Sequence, residues 1–163
     1  MSYRFEPITA DDREAVIDIF NHFVENSFAS YFTKKLPYEA FDRFLMLFAD
    51  YPAVTIRDEA GTAVGFAFMH AYHPADSMRH TAELTYFIVP DYTGRGLGKL
   101  VLDYLTEEAR ERSISIFVAQ ISSLNEQSLN FHKKYGFREV GRLEKIGRKN
   151  GRDYDVVWVQ KEI

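Results

Sequence analysis

The sequence predicts an α/β fold of the α+β kind, a mixed and largely antiparallel central sheet of about seven strands flanked by about four helices. Three observations carry that expectation. Apolar residues recur at helical spacing in some segments and in alternating or short continuous runs in others, so both element types are present. Asn150-Gly151 between two β-patterned runs is a strong hairpin signal, which makes part of the sheet antiparallel. A glycine-rich stretch, "TGRGLGK", stands between a strand-like run and an amphipathic helix. With 163 residues, 46% of them hydrophobic, the chain can bury a full core, and residues 1–163 read as one domain.

The elements follow in order. Tyr3 to Pro7 has the pattern of a short strand. Thr9 can cap a helix from about Ala10 to Phe23, with Ala15, Val16, Ile19, Phe20 and Phe23 on one face. Asn26 to Leu36 is rich in aromatics without a period and reads as a loop; a second helix after Pro37 carries Phe41, Phe44, Leu45 and Phe48. Val54–Asp58 and Ala63–Tyr72, joined by "EAG", predict a hairpin whose apolar second arm is a central strand. A polar loop from His73 to His80 leads to a strand over Thr81–Val89, ended by Pro90. Leu97, Leu100, Val101, Tyr104, Leu105 and Ala109 form the apolar stripe of a helix. Ile114–Ile121 is again a strand. Asn125 caps a helix ending at Tyr135, where Gly136 suits a left-handed C-terminal position and Phe137 packs back. Two strands, about Arg138–Arg148 and Arg152–Lys161, flank the Asn-Gly turn.

Composition excludes several classes. A net charge of −4 and a pI near 5.7 argue against a surface that embraces nucleic acid, so any anion site is local. There is no cysteine, which removes disulfides, thiolate metal sites and thiol nucleophiles and favours a cytoplasmic location. No stretch approaches the roughly 18 apolar residues of a membrane span, and the N-terminus lacks a leader pattern. His22, His70, His73 and His80 show no metal-ligand spacing, so no metal is expected.

The glycines point to chemistry. Gly94, Gly96 and Gly98 lie just before a helix, where unpartnered backbone N–H groups and the helix dipole suit a phosphate or pyrophosphate. Arg95 and Lys99 add charge. The alternative is a glycine-rich turn without a ligand. A P-loop is excluded, since Thr93 and Leu100 stand where it needs glycine and Ser or Thr. The dinucleotide fingerprint fails too, because the glycines are spaced G-x-G-x-G.

"TGRGLGK" resembles the acyl-CoA pyrophosphate loop of the GCN5-related N-acetyltransferases, the GNAT superfamily. "ELTYFIVPDYTGRGLGKLVLDYL" is similar to that family's central strand, loop and helix, and "NEQSLNFHKKYGF" to its later helix. "IFNHFVENSFAS", Glu83, His132 before "KKYGF" and "GRKNGRDYDVVWV" look most like the phosphinothricin acetyltransferase subgroup. Two departures stand out: Thr93 replaces the usual Gln or Arg, and "HPADSMRHTAEL" lacks the subgroup's Arg-x-x-Tyr run. The resemblance implies an acetyl-CoA-dependent N-acetyltransferase acting on a small primary amine, an amino acid or an analogue of the phosphinothricin or methionine sulfoximine kind. It also implies a homodimer. Acetylation of a protein N-terminus and a catalytically idle acyl-CoA-binding module are the alternatives.

By that resemblance acetyl-CoA is held by Phe87, Ile88, Val89, Gly94, Arg95, Gly96, Leu97, Gly98, Lys99 and Asn125. Asn125 equally serves as a helix cap. Glu83 is the candidate general base; read from the residues alone it is as well a carboxylate at the start of a strand. His132 is either a packed histidine or a group that relays a proton or protonates the departing thiolate. Phe28, Tyr31 and Phe32 of the aromatic loop, with Thr85 on the face of Glu83, are expected to line the acceptor pocket, or else to pack beneath the two helices.

Overall fold

The computed structural model describes residues 1–163. Seven strands, β1 (Arg4–Pro7), β2 (Ala53–Arg57), β3 (Ala63–Ala71), β4 (Thr81–Ile88), β5 (Ile116–Ser122), β6 (Arg138–Lys149) and β7 (Arg152–Glu162), make one sheet in the order β1-β2-β3-β4-β5-β7-β6. Every neighbouring pair is antiparallel except β4 and β5, which run parallel. Four α-helices complete it: α1 (Arg13–Asn26), α2 (Phe41–Leu47), α3 (Leu97–Glu111) and α4 (Glu126–Lys134). The predicted element types and order are all present.

The two faces of the sheet carry separate cores. Val16, Ile17, Phe20 and Val24 of α1 and Phe41 of α2 pack on Phe66 and Phe68 of β3. Leu97, Val101, Leu102 and Leu105 of α3 pack on the other face, against Ala67 and Met69 of β3 and Ala82 and Leu84 of β4. Alternate side chains of a strand point to opposite faces, so a strand covered on both sides must be apolar there, as β3 is from Val64 to Met69.

Local signals set the element ends. Thr9 caps a short 3-10 turn over Ala10–Asp12, with Thr9 and Asp12 forming a reciprocal capping box, and α1 continues from it. Helix α3 ends at Glu111 and the chain is turned away at Ser113, which adopts φ 58°, while Ile114 N–H bonds the Ala109 carbonyl; the following strand begins at Ile116 rather than Ile114. Asn150 and Gly151, with φ 52° and 73°, turn the β6–β7 hairpin as expected.

Candidate active site

Strands β4 and β5 pair over only three positions, Thr81 to Glu83 with Ile116 to Val118. Beyond Glu83 they separate, while β4 stays paired with β3 as far as Ile88. Val89 N–H bonds the Val64 carbonyl at 2.9 Å. By the alternation of an antiparallel ladder, odd-numbered positions of β4 spend their backbone groups on β3, and Tyr86 and Ile88 turn theirs toward the opening. Such groups need a polar partner. The Phe87 ring lies elsewhere, among Phe20, Phe23 and Phe66.

The glycine loop lies at the end of the same strand. Gly94 and Gly96 take φ 72° and 81°, and Gly96 is the residue immediately before α3. The amides of Gly94 through Lys99 donate to no protein acceptor. Bare amides at a helix N-terminus, on a backbone that only glycine adopts readily, fit a pyrophosphate. Gly98 has a different reason to be small: a Cβ there would lie 2.9 Å from the Phe131 ring of α4. Arg95 sits over Tyr92, 5.7 Å from the ring centre, whereas Lys99 is paired with Asp103 at 2.5 Å. Thr93, in place of the family's Gln or Arg, hydrogen-bonds its own turn at Pro90.

Glu83 occupies the vertex where the two strands part. Its side chain is 14% exposed; Oε1 accepts a hydrogen bond from Gln120 Nε2 at 2.7 Å, and Oε2 lies 3.2 Å from His70 Nε2. His70 is directly opposite Glu83 in the β3–β4 register. Burial pulls the His70 pKa down, but the Glu83 hydrogen bond, the Ala71 carbonyl and the carboxylate's charge outweigh it and the net shift is upward. Sequence reasoning missed both His70 and Gln120, because neither belongs to a spacing motif; only strand register brings them to Glu83.

His132 is 3% exposed and belongs to the other face of β4. Its Nδ1 is 2.7 Å from the Ser128 carbonyl, so that nitrogen bears the hydrogen, and Nε2 meets the Tyr86 hydroxyl. Burial lowers its pKa, only partly opposed by the Ser128 bond, so the ring is neutral; burial also holds the Tyr86 phenol protonated. Glu83 and His132 are thus not one cluster. Asn125 caps α4 through Ser128 N–H at 3.2 Å.

The aromatic loop lies beside Glu83 and under the β6–β7 hairpin. Tyr31 stacks on Tyr154 at 5.8 Å, and its pKa is raised by burial, by Tyr154 and by the charge of Glu83, within whose reach it lies. Phe28 lies 6.5 Å from Tyr154 and under Arg152; Phe32 packs edge-on against Phe20 while remaining half exposed. The fully buried Lys149 ties the hairpin to the loop by donating to the Ser30 carbonyl at 2.8 Å. Thr85 shares the Glu83 face, opposite Phe68. An open trough of about 600 Å³, with Thr81, Val118, Trp158 and Val140 among its walls, begins next to Glu83. No three His, Asp or Glu side chains converge as metal ligands would, and no helix is long and apolar enough to cross a membrane.

Free amides at the start of α3, a split between two parallel strands and a carboxylate at its vertex thus lie along and just beyond one strand, β4. The family described as "Acetyltransferase (GNAT) family" matches residues 16–137, and the chain belongs to it. It is an acetyltransferase of that family. Across its whole length it is 32% identical to the L-amino acid N-acyltransferase MnaT of Escherichia coli K12, covering 94% of that protein. Two crystal structures are similar over all of this chain. A GNAT-superfamily phosphinothricin acetyltransferase from Sinorhizobium meliloti, in complex with acetyl-CoA, superposes with a TM-score of 0.91 at 25% identity over 89% of its own chain. A ribosomal-protein-alanine N-acetyltransferase from Brucella melitensis superposes with a TM-score of 0.87 at 30% identity over its full length.

Proposed function

We propose that this enzyme transfers the acetyl group of acetyl-CoA to the primary amine of a small molecule, an amino acid or an analogue of the phosphinothricin or methionine sulfoximine kind. The observation that carries the reading is Glu83 at the strand split, held by His70 and Gln120 on the side of the sheet that faces the aromatic loop. Acetyl-CoA supplies an acyl group on a good leaving thiolate. The amides of Gly94 to Lys99 and the Arg95 guanidinium hold its pyrophosphate, and Tyr86 and Ile88 offer backbone groups to its arm. Glu83 removes a proton from the acceptor ammonium, directly or through a water, and Tyr31 and Thr85 line the acceptor's approach. Any proton that His132 provides passes through the Tyr86 hydroxyl that covers its Nε2. A homodimer belongs to the proposal: Tyr72, Met78, Val140 and Leu143 are exposed on the half of the sheet that α1 and α2 leave open, and light scattering in solution tests it.

The test of the acceptor is an amine panel with acetyl-CoA, containing methionine, methionine sulfoximine, methionine sulfone, phosphinothricin and an alanine-terminated peptide. Turnover of the small amines supports the reading. Turnover of the peptide alone overturns it in favour of N-terminal protein acetylation, which the similarity to the ribosomal-protein-alanine enzyme favours. No CoA release with any amine leaves an acyl-CoA-binding module.

A further inference from the structure

The reading of Glu83 as the base leaves one hydrogen unassigned. His70 Nδ1 lies 2.9 Å from the Ala71 carbonyl oxygen, and Nε2 lies 3.2 Å from Glu83 Oε2. A carbonyl oxygen only accepts, so Nδ1 bears a hydrogen. An ionised carboxylate also only accepts, so the second contact needs another hydrogen, shared between imidazole and carboxyl. Without it an imidazole nitrogen and a carboxylate oxygen, both electron-rich, stand 3.2 Å apart between side chains that are 16% and 14% exposed. Gln120 cannot relieve this, because its amide is engaged with the other carboxylate oxygen.

We propose that His70 and Glu83 form one proton-handling unit, in which His70 is a positioning residue that acts through Glu83 and holds the proton taken from the acceptor. This rests on Glu83 being the base. At rest the unit contains one shared proton. Loss of that proton to solvent leaves a neutral imidazole, with hydrogen on Nδ1, beside a carboxylate. The carboxylate then accepts a proton from the acceptor ammonium: an N–H bond breaks, the nitrogen keeps the electron pair for attack, and the proton settles on Nε2. The imidazolium–carboxylate pair is thereby restored, and no further reactant enters.

The surroundings contain no competing partner. Phe68 lies beside His70 on its own strand, and Glu83 is its one ion-pair partner. Beyond Glu83 stand Gln120 of β5, Tyr31 of the aromatic loop and Tyr154 of β7, whose phenols are held protonated by burial. The upward shift of His70 agrees with a proton kept in the unit.

Two measurements test the unit. Imidazole nitrogen NMR of the parent, Glu83→Gln and His70→Gln follows the charge and tautomer of His70, the last variant assigning its signals. Steady-state kcat/KM of the parent and His70→Gln is measured from about pH 5.5 to 8.5, the range in which a histidine changes charge. His70 is expected to stay an imidazolium to higher pH than an ordinary histidine, and to titrate lower in Glu83→Gln. The acceptor's own ionisation cancels in the parent to His70→Gln ratio of kcat/KM, which should fall about tenfold per pH unit below the unit's titration. A neutral His70 throughout, or a pH-independent ratio with acetyl-CoA binding intact, overturns the proposal. If Glu83→Gln is inactive while that ratio is flat, His70's part alone is lost; if Glu83→Gln is fully active, the base is lost and the unit with it. His70→Asn serves if His70→Gln does not fold.

Discussion

Glu83→Gln separates proton transfer from shape. The glutamine oxygen can accept from Gln120 where Oε1 now does, and its NH2 can donate to His70 Nε2, which a neutral imidazole offers once Nδ1–H is on Ala71. Two hydrogen bonds and the side-chain volume survive; the ion pair and the proton acceptor do not. Exchange of a charged for a neutral hydrogen bond costs on the order of 1 kcal/mol of stability, or a melting point lower by about 2–4 °C for a chain of this size. Loss of a general base removes about 10²–10⁴ in rate, equal to roughly 3–5 kcal/mol of barrier. The rate effect therefore exceeds anything expected from loosened packing. Released CoA can be read as free thiol without background, since the chain has no cysteine. Acetyl-CoA affinity by calorimetry should barely change, because the amides of Gly94 to Lys99 are untouched. A variant within about threefold of the parent kcat at every pH, well short of the range for a lost base, would falsify the assignment.

The two loop glycines should respond differently. Gly96→Val forces a β-branched residue to φ 81° beside the bare amides and should weaken acetyl-CoA binding at least about tenfold; Gly98→Val meets the Phe131 ring and should instead lower the melting point by several degrees. Equal acetyl-CoA affinity in Gly96→Val and the parent would remove the loop from the cofactor site. Ahead of Glu83, Arg79 is paired with Asp76 at 2.7 Å and the subgroup's Arg-x-x-Tyr run is missing, so methionine sulfoximine should show a higher kcat/KM than phosphinothricin. A large preference for phosphinothricin refutes this and places a cation elsewhere. His132 has a lowered pKa in the folded state, so the unfolded chain binds its proton first as pH falls; this stability is present above the ordinary histidine value and lost as pH drops through the folded one. Thermal melts should show the parent losing more stability than His132→Gln between about pH 7 and 5, the interval below the unperturbed histidine pKa. A melting-point difference that does not vary with pH contradicts a neutral, buried His132.

What could be read from the sequence is what depends on neighbours along the chain. The apolar run of β3, the stripe of α3, the Asn125 cap and the positive φ of the Asn150-Gly151 turn and of Gly94 and Gly96 rest on local propensity or periodicity and are found where the pattern places them, while Thr9 caps a 3-10 turn that leads into α1. Glu83 and the glycine loop were legible as a candidate site through the resemblance of a continuous stretch. The partners were not. His70 meets Glu83 through the β3–β4 register, Gln120 reaches it from the parallel neighbour β5, and Tyr86 finds His132 across forty-six positions. A shift of register by one residue would send each side chain to the other face, and that register is decided by which faces α1, α2, α3 and α4 bury. The same dependence explains Gly98: seen in the chain it is one more loop glycine, and only the packing of α4 shows that its missing side chain makes room for Phe131. The β4–β5 split likewise exists because two strands that are parallel over three residues then diverge, a property of the assembled sheet that no single segment contains.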